Sequence, residues 1–126
     1  MGMLRVTRML QDGARWEGVA ALVDGRVVEQ GVWVMPDGQR FEGHMEMVYG
    51  PDFIEVKTGF EVHRYALVEA VREGWDFAAE YVCGEDFYSI WGQRPKESGW
   101  KLQMAVKGPR KNEVQVVEYA QIGFSE

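Results

Sequence analysis

The sequence predicts an all-β domain, an antiparallel meander of about eight to ten strands joined by hairpin turns. Three observations predict it. Turn signals recur at nearly even spacing, apolar and polar residues alternate between them, and one motif that combines a turn with a strand occurs twice. Because the chain has 126 residues, we expect a single domain over residues 1–126.

The turn signals are rich in glycine and lie about twelve residues apart along most of the chain. Glycine takes positive φ freely and aspartate bonds back to nearby backbone N–H groups, so Asp-Gly pairs suit tight turns. The signals begin at Asp12, Asp24, Asp37, Gly50, Thr58, Glu73, Gly84, Glu97 and Gly108. They delimit about ten candidate strands, which start near Leu4, Arg15, Val27, Arg40, Phe53, Glu61, Trp75, Phe87, Trp100 and Val114.

Residues between the turns alternate with the period of a β-strand. One face of the strand that starts at Arg40 carries Phe41, Gly43, Met45, Met47 and Tyr49. Two later strands repeat the pattern, with faces formed by Trp75, Phe77, Ala79 and Tyr81 and by Trp100, Leu102, Met104 and Val106. One buried and one solvated face are typical of antiparallel sheets.

One segment, residues 66–73, is compatible with two structures. The residues up to Glu73 fit a helix of two turns closed by Gly74, since glycine commonly follows a helix C-terminus. Tyr65, Leu67 and Val71 also fit a period of two, which predicts a strand. The strand is the preferred interpretation.

The repeated motif has the form Asp-Gly-x-Arg-aromatic-Glu-Gly and occupies residues 12–18 and 37–43. A large ring needs free volume beside it, so Gly18 and Gly43 are expected to leave space for Trp16 and Phe41 on the same face. The longer run Gly31-Val32-Trp33-Val34-Met35-Pro36-Asp37-Gly38-Gln39-Arg40-Phe41-Glu42-Gly43 resembles the membrane-occupation-and-recognition-nexus (MORN) repeat. The resemblance covers about residues 12–50.

The MORN resemblance implies β-hairpins that stack their aromatic and glycine rows on one another and contact proteins or lipids without catalysis. Two architectures therefore remain open: an open, MORN-like hairpin sheet, or a closed, calycin-like barrel in which the first and last strands pair. Closure of a barrel removes the sheet edges and can enclose one small ligand.

Composition excludes several classes of protein. The net charge of −6 and pI near 5.0 argue against a nucleic-acid partner, whose phosphates require a basic surface. Cys83 is the single cysteine, so no internal disulfide is expected. No apolar run approaches the length of a membrane span, and no signal-peptide core is present near the N-terminus. These features predict a cytoplasmic protein without a membrane span.

Catalytic and metal-binding motifs are lacking in the sequence. No catalytic residue, metal or cofactor is therefore predicted, and the sequence favours a protein that is not an enzyme while leaving that alternative open. His44 alternates onto a polar face and is expected to be solvated. The predicted ligand-binding or partner-binding residues are Trp33, Tyr49, His63, Tyr65, Tyr88 and Trp91.

Three function classes follow from these residues. The first is an interaction module that binds a protein partner or self-associates through exposed aromatic side chains. The alternative is a barrel that carries a small apolar ligand, in which His63 and Tyr65 are polar groups in an apolar cavity. An enzyme in the same barrel, with His63, Tyr65 and a carboxylate as acid and base, is the third class.

Overall fold

The computed structural model describes residues 3–59, 61–69 and 72–122, and they form ten β-strands. The strands are β1 (Met3–Leu10), β2 (Arg15–Val23), β3 (Arg26–Val34), β4 (Arg40–Tyr49), β5 (Phe53–Thr58), β6 (Glu61–Val68), β7 (Phe77–Cys83), β8 (Asp86–Gly92), β9 (Gly99–Lys107) and β10 (Asn112–Gln121). The predicted strand starts are within two residues of these bounds. The all-β meander is confirmed.

The ten strands close into a barrel. Each strand pairs antiparallel with the next, and β1 pairs with β10 from Leu4 opposite Gln121 to Leu10 opposite Gln115. Of the two architectures that the sequence left open, the closed barrel is the one that forms. The resemblance of residues 12–50 to the MORN repeat stays a prediction.

Alternate residues of each strand point into the barrel and form one apolar core. The predicted faces of β4, β7 and β9 are confirmed for Met45, Met47, Phe77, Ala79, Trp100 and Leu102, which are all buried. Phe41 is an exception, since 51% of its surface is exposed. The other apolar core residues are Leu4, Val6, Trp16, Ala20, Val27, Ile54, Val56, Tyr65, Ile90, Val117 and Tyr119.

Both copies of the repeated motif form the same turn. Asp12 Oδ1 accepts a hydrogen bond from the N–H of Ala14, and Asp37 Oδ1 accepts one from the N–H of Gln39, each at 2.9 Å. The following glycine has positive φ in both copies, 96° at Gly13 and 92° at Gly38. The Asp-Gly dipeptide therefore specifies the turn locally, as predicted.

The aromatic and glycine residues of the two copies pack differently from the prediction. Trp16 is fully buried, and its ring carbons would lie 3.5 Å from a Cβ at Gly43, so it uses the space left by the other copy. Gly18 lies opposite Gly31, and Gly31 lies opposite Gly43. In this row of three glycines across β2, β3 and β4, Gly18 and Gly31 let the backbones of β2 and β3 approach closely, whereas Gly43 leaves room for the Trp16 ring.

The segment that was compatible with helix or strand is a strand as far as Val68, followed by a bend at Glu69 and a turn at Glu73 and Gly74. Ala70 and Val71 lie outside the described residues. Trp75 was expected to start a strand, but its N–H donates to the carbonyl of Arg72 in a turn, and β7 begins two residues later at Phe77. Within the described ranges, no helix is long and apolar enough to cross a membrane.

Candidate ligand site at one end of the barrel

Four aromatic side chains from β6, β7 and β8 meet at the barrel end where β6 and β8 begin; we call His63, Tyr65, Tyr81 and Tyr88 the mouth cluster. The His63 and Tyr81 rings stack with centroids 4.8 Å apart, and Tyr81 lies 5.7 Å from Tyr65 and 5.6 Å from Tyr88. Within the described residues, β6 and β7 pair from Ala66 to Val68. The rings therefore join β6 to β7 at the end where the strand ladder is not formed.

A pocket of about 160 Å³ opens beside the mouth cluster. Tyr65, Tyr88 and Met104 give it an apolar wall, and Gln115 contributes an amide. Its other lining residues are Ala105, Val106 and Glu113. Apolar walls with a few convergent polar groups are typical of small-molecule sites.

A buried polar cluster lies behind this pocket. Arg8 is 1% exposed and Glu29 is fully buried, and both point into the barrel. Arg8 donates from Nε to Glu29 Oε1 at 3.2 Å and from Nη2 to Glu29 Oε2 at 2.7 Å. Tyr119 accepts a third hydrogen bond from Arg8 Nη2 at 3.1 Å and donates its hydroxyl proton to Glu29. The charges are thus paired and multiply hydrogen-bonded, as burial requires.

Gln115 connects the buried cluster to the pocket. Arg8 Nη1 donates to Gln115 Oε1 at 2.8 Å and lies 3.4 Å from Met104 Sδ. Both Gln115 and Met104 line the pocket. Arg8 therefore fixes the orientation of the one amide that the pocket presents.

Burial controls the protonation of this region. Removal from water raises the pKa of Tyr119 well above its ordinary value, although Arg8 opposes the shift. Burial likewise raises the pKa of Tyr65, which neighbouring Tyr88 and Tyr81 raise further. Burial lowers the pKa of Arg8, but Tyr119 and Glu29 more than offset that effect, so the guanidinium stays charged.

Charged groups lie around the pocket opening. Lys111 Nζ donates to the Tyr88 hydroxyl at 3.2 Å, and this bond raises the pKa of Lys111. Asp86 lies 4.0 Å from Lys111 Nζ, and Glu61 lies 3.5 Å from His63 Nε2. Asp86 and Glu113 thus lie near the ammonium of Lys111, whereas the carboxylate of Glu61 lies beside His63 in the mouth cluster. The described residues contain no group of acidic, histidine or cysteine side chains that could hold a metal ion.

A family model for the family of unknown function DUF6314 matches residues 1–121. The chain belongs to this family. No curated protein sequence matches this DUF6314 chain significantly.

Two solved structures resemble the DUF6314 barrel. One is the S-type phycobiliprotein lyase CPES from Guillardia theta, with 9% identity, coverage of 99% of this chain and 89% of that chain, and a TM-score of 0.57. The other is EF1p2_mFAP2b bound to DFHBI, with 12% identity, coverage of 96% and 92%, and a TM-score of 0.49. At these identities, the likeness to the lyase shows a shared barrel fold.

The structure brings three of the six predicted site residues together and separates the others. His63, Tyr65 and Tyr88 meet in the mouth cluster. Trp33 packs on Trp16, with ring centroids 5.4 Å apart. The remaining two lie elsewhere, with Tyr49 packed edge-on against Phe77 and Trp91 beneath the guanidinium of Arg72.

Several residues of the site were not predicted: Arg8, Glu29, Tyr81, Met104, Gln115 and Tyr119. A usable signal was present for the charged pair. Arg8 continues the apolar face of Leu4 and Val6, and Glu29 shares a face with Val27. A charged residue on the apolar face of a strand indicates a buried partner. His44 is exposed, as expected.

Proposed function

We propose that this barrel binds a small, largely apolar molecule in the pocket between the mouth cluster and Gln115. The observation that carries the proposal is the composition of that pocket. Two tyrosine rings and a methionine form its wall, and its polar side chains are the Gln115 amide, which a buried arginine holds, and the Glu113 carboxylate. Methionine adapts its shape to a ligand, while the rings offer flat apolar surface.

The size of the pocket favours a ligand with one ring inside it. Its volume of about 160 Å³ is on the order of that of an engineered cavity of about 150 Å³ in another protein, which holds benzene. A longer molecule would extend from the pocket over Tyr81 and His63, which are partly exposed at the mouth. The likeness to a phycobiliprotein lyase supports the barrel fold in this proposal, whereas the ligand is argued from the residues of this chain.

Binding is better supported than acid–base catalysis. Tyr65 has a raised pKa, so it keeps its proton at neutral pH and serves as a hydrogen-bond donor instead of a base. Arg8, Glu29 and Tyr119 are buried and bonded to one another, which suits a rigid support for the site.

The test is a titration of the 15N-labelled protein with toluene, followed by amide chemical shifts. We expect the shift changes to centre on Tyr65, Tyr88 and residues 104–106. The variant Tyr88→Ala should weaken binding by about tenfold, because it removes a wall of the pocket. Phe87→Ala is the matched control, since Phe87 is an exposed ring on the same strand. Equal loss in both variants, or shifts confined to the outer face, would contradict the proposal.

A second candidate function is contact with a protein partner or with another copy of the chain. An almost wholly apolar groove of about 380 Å³ lies at the same end of the barrel and is lined by Leu10, Ala14, Trp33, Met35 and Phe41, with Asp12 at its edge. Exposed apolar surface that includes aromatic rings is common in interfaces. Light scattering over a concentration series tests self-association, and Phe41→Ser should abolish any mass increase. A constant monomer mass together with no recovered partner would remove this candidate.

A further inference from the structure

The buried Arg8 determines which hydrogen-bonding group Gln115 presents. An arginine side chain only donates hydrogen bonds, so the Gln115 atom that it contacts must be the carbonyl oxygen. The amide nitrogen then points away from Arg8. Neither of its two N–H groups has a hydrogen-bond partner among the described residues. The nitrogen is also not fully buried. The pocket therefore contains an oriented donor that is accessible.

The tyrosines of the pocket also offer donors. Tyr88 already accepts a hydrogen bond from Lys111, which leaves its own proton to donate. Tyr65 stays protonated and makes no side-chain hydrogen bond within the described residues. Gln115, Tyr65 and Tyr88 line the same pocket, so these three groups are matched to a hydrogen-bond acceptor on the ligand, while the Glu113 side chain is exposed to solvent.

The surrounding charge favours a neutral acceptor over an anion. Glu29 neutralises Arg8 through two hydrogen bonds, so the guanidinium offers little net attraction to a carboxylate. The carboxylates of Asp86 and Glu113 lie near the ammonium of Lys111, and a third carboxylate, that of Glu61, lies beside His63 in the mouth cluster. Like charges at a site oppose binding of an anion.

From this arrangement we infer that the pocket selects a neutral carbonyl compound with one flat ring, such as an aryl ketone, and that Gln115 is the residue that determines this specificity. The inference rests on the proposed function. Gln115 donates to the carbonyl oxygen of the ligand, while Arg8 acts as a positioning residue that holds the amide in this orientation.

Three ligands of similar shape test the inference: ethylbenzene, acetophenone and benzoate, titrated by calorimetry or amide shifts. Gln115→Met removes the donor and keeps the length of the side chain. Arg8 already contacts one thioether, that of Met104, so a second one beside it should be tolerated. The ratio of acetophenone to ethylbenzene affinity should fall about fivefold to tenfold in Gln115→Met. Gln103→Met is the matched control and should leave the ratio unchanged, because Gln103 lies on the neighbouring strand β9, opposite Val116, and is not one of the lining residues of the pocket.

A second variant, Gln115→Glu, keeps the test decisive if Gln115→Met does not fold. Gln115→Glu keeps an acceptor for Arg8 and removes the donor, so the same ratio should fall. If both ligands bind and the ratio is the same in the wild-type protein and both Gln115 variants, the inference is wrong while the proposed function stands. If benzoate binds more tightly than acetophenone, the selection of a neutral ligand is wrong. If no ligand shifts the pocket residues, the proposed function and this inference both fail.

Discussion

Arg8 and Glu29 form a doubly hydrogen-bonded ion pair that is enclosed within the barrel and joins β1 to β3. The side chains are 2% and 0% exposed, and Arg8 Nη2 lies 2.7 Å from Glu29 Oε2. A buried pair of this kind is not in itself a large net stabiliser, since both charges lose their hydration. The consequence of burial is that removing either partner alone lowers the stability of the folded protein.

Glu29→Gln should therefore destabilise the protein by about 3–5 kcal/mol, because it leaves the charge of Arg8 buried without compensation. Urea unfolding followed by tryptophan fluorescence measures this change. The control is Glu55→Gln, which breaks the surface pair with Arg64 and should cost less than about 1 kcal/mol. If the free energy of unfolding falls by a similar amount in the two variants, burial of the Arg8–Glu29 pair is not the cause of the loss.

Two tyrosines whose hydroxyl groups are buried should respond differently to loss of those groups. Tyr119→Phe removes bonds to Arg8 and Glu29 and should cost about 1.5–3 kcal/mol. Tyr49 OH has no aligned hydrogen bond within the described residues, although Trp100 Nε1 is near enough to influence it. Tyr49→Phe should thus be neutral or stabilising by up to about 1 kcal/mol. The free energies of unfolding in urea decide this, and equal losses would disprove the contrast.

The glycine row should contain one strict and one tolerant position. A Cβ at Gly31 would lie 2.8 Å from the Cα of Gly18, so Gly31→Ala forces two backbones apart and should cost about 2–3 kcal/mol. A Cβ at Gly43 would meet the Trp16 ring at 3.5 Å, which is ordinary contact. Gly43→Ala should change stability by less than about 1 kcal/mol. Thermal unfolding of both variants tests the prediction, which fails if Gly43→Ala is the more damaging change.

Stability should fall as the pH rises above the ordinary tyrosine pKa of 10.0, partly because of Tyr65. Its raised pKa means that the folded protein keeps a proton that the unfolded chain releases above this value. The contribution is therefore complete below pH 10.0 and is lost as the pH rises. In Tyr65→Phe, the alkaline slope of unfolding free energy should be shallower by about 1.4 kcal/mol per pH unit. Urea unfolding at several pH values above 10 measures the slope, and an unchanged slope would refute the assignment.

The strands and turns could be predicted because their signals are local. Asp12 and Asp37 bond to backbone N–H groups two residues away, and strand alternation requires no knowledge of the partner strand. Barrel closure depends instead on β1 meeting β10, a contact between distant segments. The sequence therefore predicted the strands and left the choice between sheet and barrel open.

The site was only partly predictable, because residues of similar type or at the same motif position have different surroundings in the structure. Trp16 and Phe41 occupy the same position in the repeated motif, yet one is buried and the other is largely exposed. Tyr88 lies in the mouth cluster, whereas Tyr49 packs against Phe77. Which aromatic residues share a pocket depends on strand register and on the barrel end at which each residue lies, and neither is a local property of the sequence.

The pairing of β1 with β10 has a consequence for the pocket as well as for the wall of the barrel. Arg8 belongs to the first strand, while Gln115 and Tyr119, which it contacts, belong to the last. The amide that we expect to recognise the ligand is thus held across the seam, by which we mean the β1–β10 pairing that closes the barrel. Ligand recognition and barrel closure are therefore thermodynamically linked: a ligand that bonds to Gln115 should favour the closed seam, and a change that opens the seam should release the ligand.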